Sequence, residues 1–445
     1  MRHVLLAALL LWPGFVTAQQ PGGQQPGVQQ PGVPEPAAIA QLRRLLGSDV
    51  TLSFDRATAT DVAGSAVLAG AVLRRGDETI RIAEARLEGL RDDGIARLFL
   101  RGMAVSGGGL PLTLDRLDLE GLAIRRPAAG KTVQPGDVSA DLLRLEGWRS
   151  AGDVPVNIGA IAIEGFGGGR AGRANLTTLD IQLPANGFTD RLSIARIAYA
   201  GLDAADLLSA IIEQRSPARV PGRQSIEIEG VALSLASAPV ARLSAITLRG
   251  EISPGRPHTG SFALRGLEVM PNPAIAEWMQ RLGYAGIAAE ARLEASHDVT
   301  AQILELSDFG LELRDVGELH LAFRADRVPE NMDAAGAPAA RLLSARLRYA
   351  DRSLFQRWLR TEATRERVPE VALRRRLVEQ SAALLPGPGL ADARGAMARF
   401  LRGEANVLEL AAQPRAPLLL SQATSKPPGS LDGWRDMLGL TLTAR

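Results

Sequence analysis

The chain of 445 residues contains no cysteine, four histidines and two lysines, Lys131 and Lys426. Without cysteine there is no disulfide framework, thiol nucleophile or thiolate metal ligand. Four histidines leave little material for a histidine metal centre or a catalytic triad. The net charge is only +2, so the sequence predicts no nucleic-acid partner. The 46% apolar share excludes wholesale disorder and indicates a chain that buries a sizeable core.

The N-terminus has the features of a secretory signal. A short positive segment, Met1 to His3, precedes the apolar run from Val4 to Val16, and Val16-Thr17-Ala18 has the spacing of a signal-peptidase site. The run contains Pro13 and is shorter than the ~20 residues that span a bilayer. We therefore expect a signal peptide at residues 1–18, cleaved after Ala18, and a periplasmic protein.

A low-complexity segment follows the signal. Residues 19–37 repeat a QQPG unit and carry almost no charge, which predicts a disordered tether. Pro36 then opens a short helix whose apolar residues share one face before Gly47 ends it; these are Ile39, Leu42, Leu45 and Leu46.

An internal repeat occupies residues 85–267. The pattern apolar-x-apolar-x-Gly recurs nine times, and we interpret its glycines as structural: Gly89, Gly102, Gly121, Gly147, Gly165, Gly201, Gly230, Gly250 and Gly266. Upstream of several glycines a second apolar pair is offset by one residue, as in Leu112/Leu114 against Leu117/Leu119. A β-bulge at Asp115-Arg116 would return both pairs to one face, bending the strand, and the glycine would supply positive φ or room for a neighbouring backbone.

These features predict an α+β, mainly β fold: a long curved antiparallel, meander-like sheet with inserted helices and a C-terminal helical and mixed subdomain. The inserted helices are expected from Asp203 and from Pro273, and short strands at 290–294, 303–306, 309–313 and 318–323. The β-rich domain is expected to span residues 38–338. Residues 339–445 are expected to form the Arg-rich C-terminal subdomain, which lacks the glycine repeat. It contains a last strand at 342–349, helices at 351–363, 369–385 and 390–403, strands at 406–411 and 417–421, and a closing helix near 431–437.

No catalytic, cofactor or metal site is predicted. Ala129-Gly-Lys131-Thr has the tail of a phosphate-binding loop, but Arg125 stands where that loop needs a small residue. The triplets Gly107–Gly109 and Gly167–Gly169 are interpreted as hairpin tips, since no G-x-S-x-G is present. Asp92-Asp93 is interpreted as a turn rather than a hydrolytic carboxylate pair. The histidines that follow His3 are far apart in sequence, and we expect His320 to be exposed on a strand; they are His258, His297 and His320.

Arginine is concentrated in residues 339–402, which contain fourteen arginines and six acidic residues. Arg374, Arg375 and Arg376 form a candidate contact for an anionic surface, and a solvated helix face is the alternative. At the junction Tyr349-Ala-Asp351-Arg-Ser353-Leu, Asp351 or Ser353 is expected to cap the following helix.

The signal, the strands that end in E-G-L and the Y-x-D-x-S-L junction resemble uncharacterised secreted proteins of Gram-negative bacteria. More distantly, residues 50–325 are similar in pattern to AsmA-like and TamB-like envelope proteins. That resemblance implies a curved β-sheet that holds lipid in a groove, but the chain lacks those proteins' N-terminal membrane helix, and no functional residue carries over.

Two non-enzymatic functions remain open from the sequence, with an envelope-polymer hydrolase as a third reading. The first is binding of a lipid or other amphiphile in a wide aliphatic groove. The alternative is a scaffold or assembly factor with a self-filled core, whose exposed sheet edge or arginine face binds a protein. Partners would be a lipid or an envelope protein, with peripheral membrane contact, and no cofactor is expected.

Overall fold

The computed structural model describes residues 36–46, 50–60, 64–107, 111–125, 134–184, 188–215, 218, 220–272, 275–330, 339–425 and 427–445. The predicted signal peptide, nearly all of the tether, Lys131 and Gly108-Gly109 lie outside these residues. The described chain is mainly β, with antiparallel meanders, inserted helices and a helical C-terminal region, which confirms the predicted fold class. None of its described helices has the length and apolar character needed to cross a membrane.

The chain forms two compact units, which divide near residue 220. The first comprises Met1–Ala185 and Asp190–Val220, and the second comprises Asn186–Thr189 and Pro221–Arg445. The domain boundary that the sequence suggested at residue 338 stays a prediction.

The first unit is an antiparallel meander. Successive strands from β3 to β10 pair with each other, and the short β1 and β2 both pair with β3. Helix α1 spans Ala37–Leu46 and α2 spans Ala204–Glu213. The Asp203 side chain caps α2 by accepting hydrogen bonds from the backbone amides of Ala205 and Asp206. The strands are β1 Thr51–Ser53, β2 Arg56–Ala59, β3 Ala66–Arg75, β4 Glu78–Arg91, β5 Gly94–Ser106, β6 Leu112–Ile124, β7 Val138–Ser150, β8 Val156–Phe166, β9 Gly172–Gln182 and β10 Arg191–Leu202.

The repeat inverts the side-chain alternation without shifting the register. On β6 the buried residues change parity twice, at Asp115-Arg116 and again at Glu120-Gly121. The pairing of β6 with β5 and with β7 nevertheless runs through both points in one register. Each strand therefore has an additional residue at this point, opposite the additional residue of its neighbour. A β-bulge would place an additional residue on one strand only, so the predicted bulge at Asp115-Arg116 is wrong.

The glycines lie in two rows that cross the strands of the first unit. In each row a residue of positive φ alternates with a residue of ordinary φ on the next strand. On β9 the residue of positive φ is not a glycine but Thr178, with φ of 57°. Of the nine repeat glycines, eight have positive φ and Gly250 is the exception; the eight are Gly89, Gly102, Gly121, Gly147, Gly165, Gly201, Gly230 and Gly266.

The second unit continues with its own antiparallel meander. Strands β11 to β17 pair in succession, β18 and β19 both pair with β17, and β20 pairs with β18. The strands are β11 Gly222–Leu235, β12 Ala238–Ile252, β13 His258–Val269, β14 Ile287–Asp298, β15 Ile303–Leu313, β16 Gly317–Asp326, β17 Arg341–Asp351, β18 Val407–Ala412, β19 Leu418–Leu419 and β20 Leu440–Ala444.

Six helices accompany these strands: α3 Ala276–Leu282, α4 Leu354–Glu366, α5 Glu370–Leu384, α6 Ala391–Arg402, α7 Leu420–Ser425 and α8 Leu431–Leu438. Helices α4, α5, α6 and α8 lie close to their predicted positions. The expected strand 417–421 is limited to Leu418–Leu419, because α7, which the sequence did not predict, begins at Leu420. A last strand, β20, follows the helix that was expected to close the chain. The expected strands 303–306 and 309–313 are one strand, β15, whose register with β16 shifts between Leu306 and Phe309. One-sided bulges of the predicted kind thus occur in the second unit.

Burial differs between the two units. The main apolar core belongs to the first unit, where the inward residues of β3 to β7 are almost fully buried and α1 adds Ile39 at 0% exposure. The second unit has three small clusters, centred on Met279, Val328 and Leu359. Most apolar residues of its strands are half-buried.

Candidate functional site

A row of apolar side chains crosses the whole second sheet. Each member is the register partner of the next on the neighbouring strand. We call it the central row; it consists of Ile226, Leu248, Phe262, Leu293, Phe309, Leu321, Leu347, Leu410 and Leu442.

A second row lies two residues along each strand, and therefore on the same face of the sheet. We call it the second row; it consists of Ile228, Ile246, Leu264, Ala291, Leu311, Leu319, Tyr349, Leu408 and Ala444. Together the two rows form a surface of eighteen residues, whose only polar side-chain atom is the Tyr349 hydroxyl oxygen. This surface is named the apolar face below.

Side chains of the described residues leave part of the apolar face open. Leu248, Leu347 and Leu410, all in the central row, are 41%, 36% and 37% exposed. Equivalent leucines of the first unit, such as Leu143 and Leu114, are 1% exposed. A contiguous apolar surface that remains open to solvent marks a binding site in a soluble protein.

One border of the apolar face is closed by helices. Tyr349 contacts Phe400 of α6, with ring centroids 6.2 Å apart. Farther toward this end of the strands, Met279 and Leu282 of α3 and Tyr284 pack with Val316 and Leu313. Trp278 of α3 is 46% exposed and stacks on Tyr284.

The Tyr349 junction anchors this border. Tyr349 donates its hydroxyl proton to Asp351 Oδ1 at 2.7 Å, and the same oxygen accepts the Phe355 amide at 2.9 Å. Asp351 thus satisfies an amide in the first turn of α4. The Ser353 side chain does not cap the helix; its hydroxyl instead lies 3.2 Å from Tyr284 Oη and accepts from Arg357 Nε at 3.1 Å. The Tyr284 contact fastens the start of α4 to the loop after α3, and the Arg357 contact lies within the first turn of α4.

The opposite border of the apolar face ends in two histidines. His258 on β13 is the register partner of His297 on β14. His258 lies four positions along β13 from Phe262, and His297 lies four positions along β14 from Leu293. Because side chains alternate between the two sides of a strand, both histidines lie on the same side of the sheet as the apolar face. Sequence reasoning missed this pair, because the two residues are separated by α3 and its loops.

The other side of this sheet is polar and its charges are paired. Arg292 donates to Asp308 at 2.6 Å, and His320 Nδ1 lies 3.3 Å from the same carboxylate. Arg352 pairs with Glu318 and, at 2.7 Å, with Glu312. His320, expected to be exposed, is half-buried here with 28% of its side chain exposed. These groups border a cleft of ≈ 310 Å³.

The paired arginines fix the protonation of this polar cleft. The Arg292 guanidinium holds the pKa of Asp308 below its usual range, and the Arg352 guanidinium does the same for Glu318. Carboxylates held ionised in this way are poor general acids near neutral pH. Among the described residues, no group of three or more His, Asp or Glu side chains is placed to hold a metal ion.

The structure separates the three arginines of the predicted anionic-surface contact. Arg374 is a packing residue: it donates to the Leu401 carbonyl at 2.8 Å, bonds Gln356 and lies 5.6 Å from the Phe355 ring centre. Arg375 is 83% exposed and pairs with Glu379, whereas Arg376 pairs with Glu366. Only Arg375 extends far into solvent.

The other candidate motifs occupy structural positions. Asp92-Asp93 forms the turn between β4 and β5, and Gly167–Gly169 lies just after β8, in a loop with positive φ at each glycine. The interpretation of these residues as turn and loop elements is consistent with these positions.

Comparison with protein families matches residues 310–445 to a family model described as "Uncharacterized protein". The matched segment begins within β15 and includes the C-terminal helices and the last strands. It is similar to that family over less than a third of the chain. No curated protein matches the chain.

Proposed function

We propose that this protein binds the hydrocarbon part of a lipid or similar amphiphile on the apolar face of its second unit, in the periplasm. The observation that carries the proposal is the exposure of three leucines of the central row, Leu248, Leu347 and Leu410, which are 41%, 36% and 37% exposed. A hydrocarbon chain that covers these leucines gains about 25 cal/mol for each Å² of apolar surface removed from water. The paired charges on the opposite side of the sheet support a binding role without catalysis.

The alternative is a scaffold of the cell envelope whose sheets are filled by its own side chains. The first unit favours this reading, because the inward residues of β3 to β7 are already buried. Such a scaffold would contact a protein through an exposed sheet edge or through its arginine face. The two functions therefore differ in whether a lipid covers Leu248, Leu347 and Leu410.

The test is native mass spectrometry of the mature protein, purified from periplasm without detergent, followed by organic extraction and lipid analysis. We expect a stoichiometric amphiphile on the wild type. The variant Leu248→Asn/Leu347→Asn/Leu410→Asn is expected to lose it, because three polar amides interrupt the row. Val371→Asn is the matched control, since Val371 on α5 is 78% exposed and lies outside the sheet.

A wild-type protein that has its bare polypeptide mass, and takes up no phospholipid or fatty acid when these are offered, contradicts lipid binding. In that case the scaffold is tested by cross-linking from Arg375 on the arginine face, whose side chain is 83% exposed. Loss of the amphiphile in the Val371→Asn control as well would show that binding does not depend on the apolar face.

A further inference from the structure

Two histidines, His258 and His297, lie at the border of the apolar face. His258 and His297 face each other across β13 and β14, a pairing that places Cβ atoms about 4.5–5.5 Å apart. His297 Nε2 lies 3.0 Å from the Val328 carbonyl oxygen. A carbonyl only accepts, so Nε2 carries the proton and Nδ1 is the nitrogen left for another partner.

His258 has no recorded hydrogen bond or ion pair within the part of the chain that the structure describes. The acids nearest to the pair in sequence are engaged elsewhere. Asp298 follows His297 and so points to the other side of the strand, where its carboxylate accepts the Ala301 amide at 2.8 Å. Glu251, opposite Thr259, bonds Arg223 and Ser253. The imidazoles are therefore not occupied by a neighbouring carboxylate.

The distance along the strand suits one acyl chain. His258 and Leu264 of the second row are six residues apart on β13, which is about 20 Å at ~3.3 Å per residue. A lipid chain in one leaflet occupies about half of the ~30 Å hydrocarbon thickness of a bilayer. A chain of that length along β13, with its head group at the histidines, would end between Phe262 of the central row, ~13 Å from His258, and Leu264.

We propose that His258 and His297 bind the anionic head group, a carboxylate or a phosphate, of the amphiphile whose chain covers the apolar face. The inference rests on the proposed function and specifies its ligand class. His258 can donate a ring N–H to an oxygen anion, whereas His297, whose Nε2–H is used by the Val328 carbonyl, donates from Nδ1 only in its imidazolium form. Such charge-assisted hydrogen bonds are stronger than neutral ones. A metal ion is a poorer occupant, because two imidazoles fall short of the three or four protein ligands of a zinc site.

The test compares a saturated fatty acid with the primary alcohol of the same chain length, each titrated into the full mature chain by calorimetry below its aggregation concentration. The two probes share a hydrocarbon chain and differ in head-group charge. We expect the wild type to bind the acid at least about tenfold more tightly, equivalent to about 1.4 kcal/mol. His258→Phe/His297→Gln should bring the two affinities to within about twofold while the alcohol binds unchanged.

The matched control is His320→Gln, which alters the histidine on the polar side of the same sheet and should keep the preference for the acid. His258→Phe alone is the second variant, because it retains the His297–Val328 hydrogen bond if the double variant unfolds. Lysophosphatidic acid against monoacylglycerol repeats the comparison for phosphate.

The outcomes separate the two proposals. Equal affinity of the wild type for acid and alcohol, or an acid preference that survives in the histidine variants, overturns the head-group assignment and leaves the apolar face as the chain site. Failure of both probes to bind overturns the proposed function itself.

Discussion

Asp115 on β6 lies opposite Gly147 on β7, and a Cβ added to Gly147 would be 2.0 Å from Asp115 Oδ2 and 2.9 Å from Asp115 Cβ. Gly147 also has φ of 67°. The position therefore excludes a side chain for two independent reasons, one of conformation and one of space.

We predict that Gly147→Ala destabilises the protein by about 2–4 kcal/mol, because the left-handed backbone costs ~1–2 kcal/mol and the overlap adds a similar amount. Gly169→Ala is the control: its φ is 73°, but nothing lies within 4 Å of the added Cβ. Urea unfolding gives both free energies. Equal losses in the two variants would show that the close approach of Asp115 has no role, whereas partial rescue by Asp115→Gly would isolate it.

Tyr199 on β10 provides a second test, since its hydroxyl oxygen is buried and has no hydrogen-bond partner among the described residues. Burial raises the pKa of Tyr199 to about 12, so the phenol is neutral at physiological pH. We predict that Tyr199→Phe increases the free energy of unfolding by about 1 kcal/mol, because an unsatisfied hydroxyl is removed. A decrease in chemical-denaturation stability would instead show that the hydroxyl has a partner in solution.

The ion pair of Asp326 and Arg341 predicts a pH dependence. Arg341 Nε donates to Asp326 Oδ1 at 2.8 Å, and this hydrogen bond lowers the pKa of Asp326. A lowered native pKa stabilises the fold above the unfolded value of ~3.9 and loses that contribution as the pH falls through the native value. The stability difference between wild type and Asp326→Asn should therefore shrink below about pH 4.

Thermal unfolding between neutral and acidic pH measures this difference. Asp93→Asn is the control, since its side chain is 71% exposed on a hairpin turn. A difference between wild type and Asp326→Asn that stays constant as the pH falls would contradict the ion-pair origin.

The arginine triplet predicts a division of roles. Arg374→Gln should lower the stability of the helical region, because it removes the bond to the Leu401 carbonyl and the contact with the Phe355 ring. Arg375→Gln should change stability by less than ~0.5 kcal/mol, as an exposed pair contributes little. Co-sedimentation with anionic vesicles then tests the surface contact with Arg375→Gln alone; unchanged binding would remove Arg375 from it.

The spacing of apolar residues and glycines predicted the strands of the repeat, because burial on one face imposes a period of two. It could not predict how the parity changes at Asp115-Arg116 are absorbed. The sequence of one strand shows only that it contains an additional residue between its two apolar pairs. Whether the neighbouring strand has a matching residue depends on how the strands pair, and that pairing places Asp115 opposite Gly147.

The sequence predicted an aliphatic binding surface but not its position in the fold. Leucine and isoleucine alternate alike in both units, so the sequence alone does not distinguish Leu143, which is 1% exposed, from Leu347, which is 36% exposed. That difference depends on what packs above each sheet. The pairing of His258 with His297 was equally hidden, because α3 and its loops separate the two strands in sequence.

The meander also governs the order in which the chain can assemble. From β3 to β10 and from β11 to β17, each strand pairs with the one made just before it, so every pairing closes a short loop and little entropy is lost before contacts form. β18 is different: three helices, α4 to α6, stand between it and its partner β17. We expect this closure to be the slow step of folding, so that the edge formed by β18 and β20 is completed only after the rest of the second sheet exists.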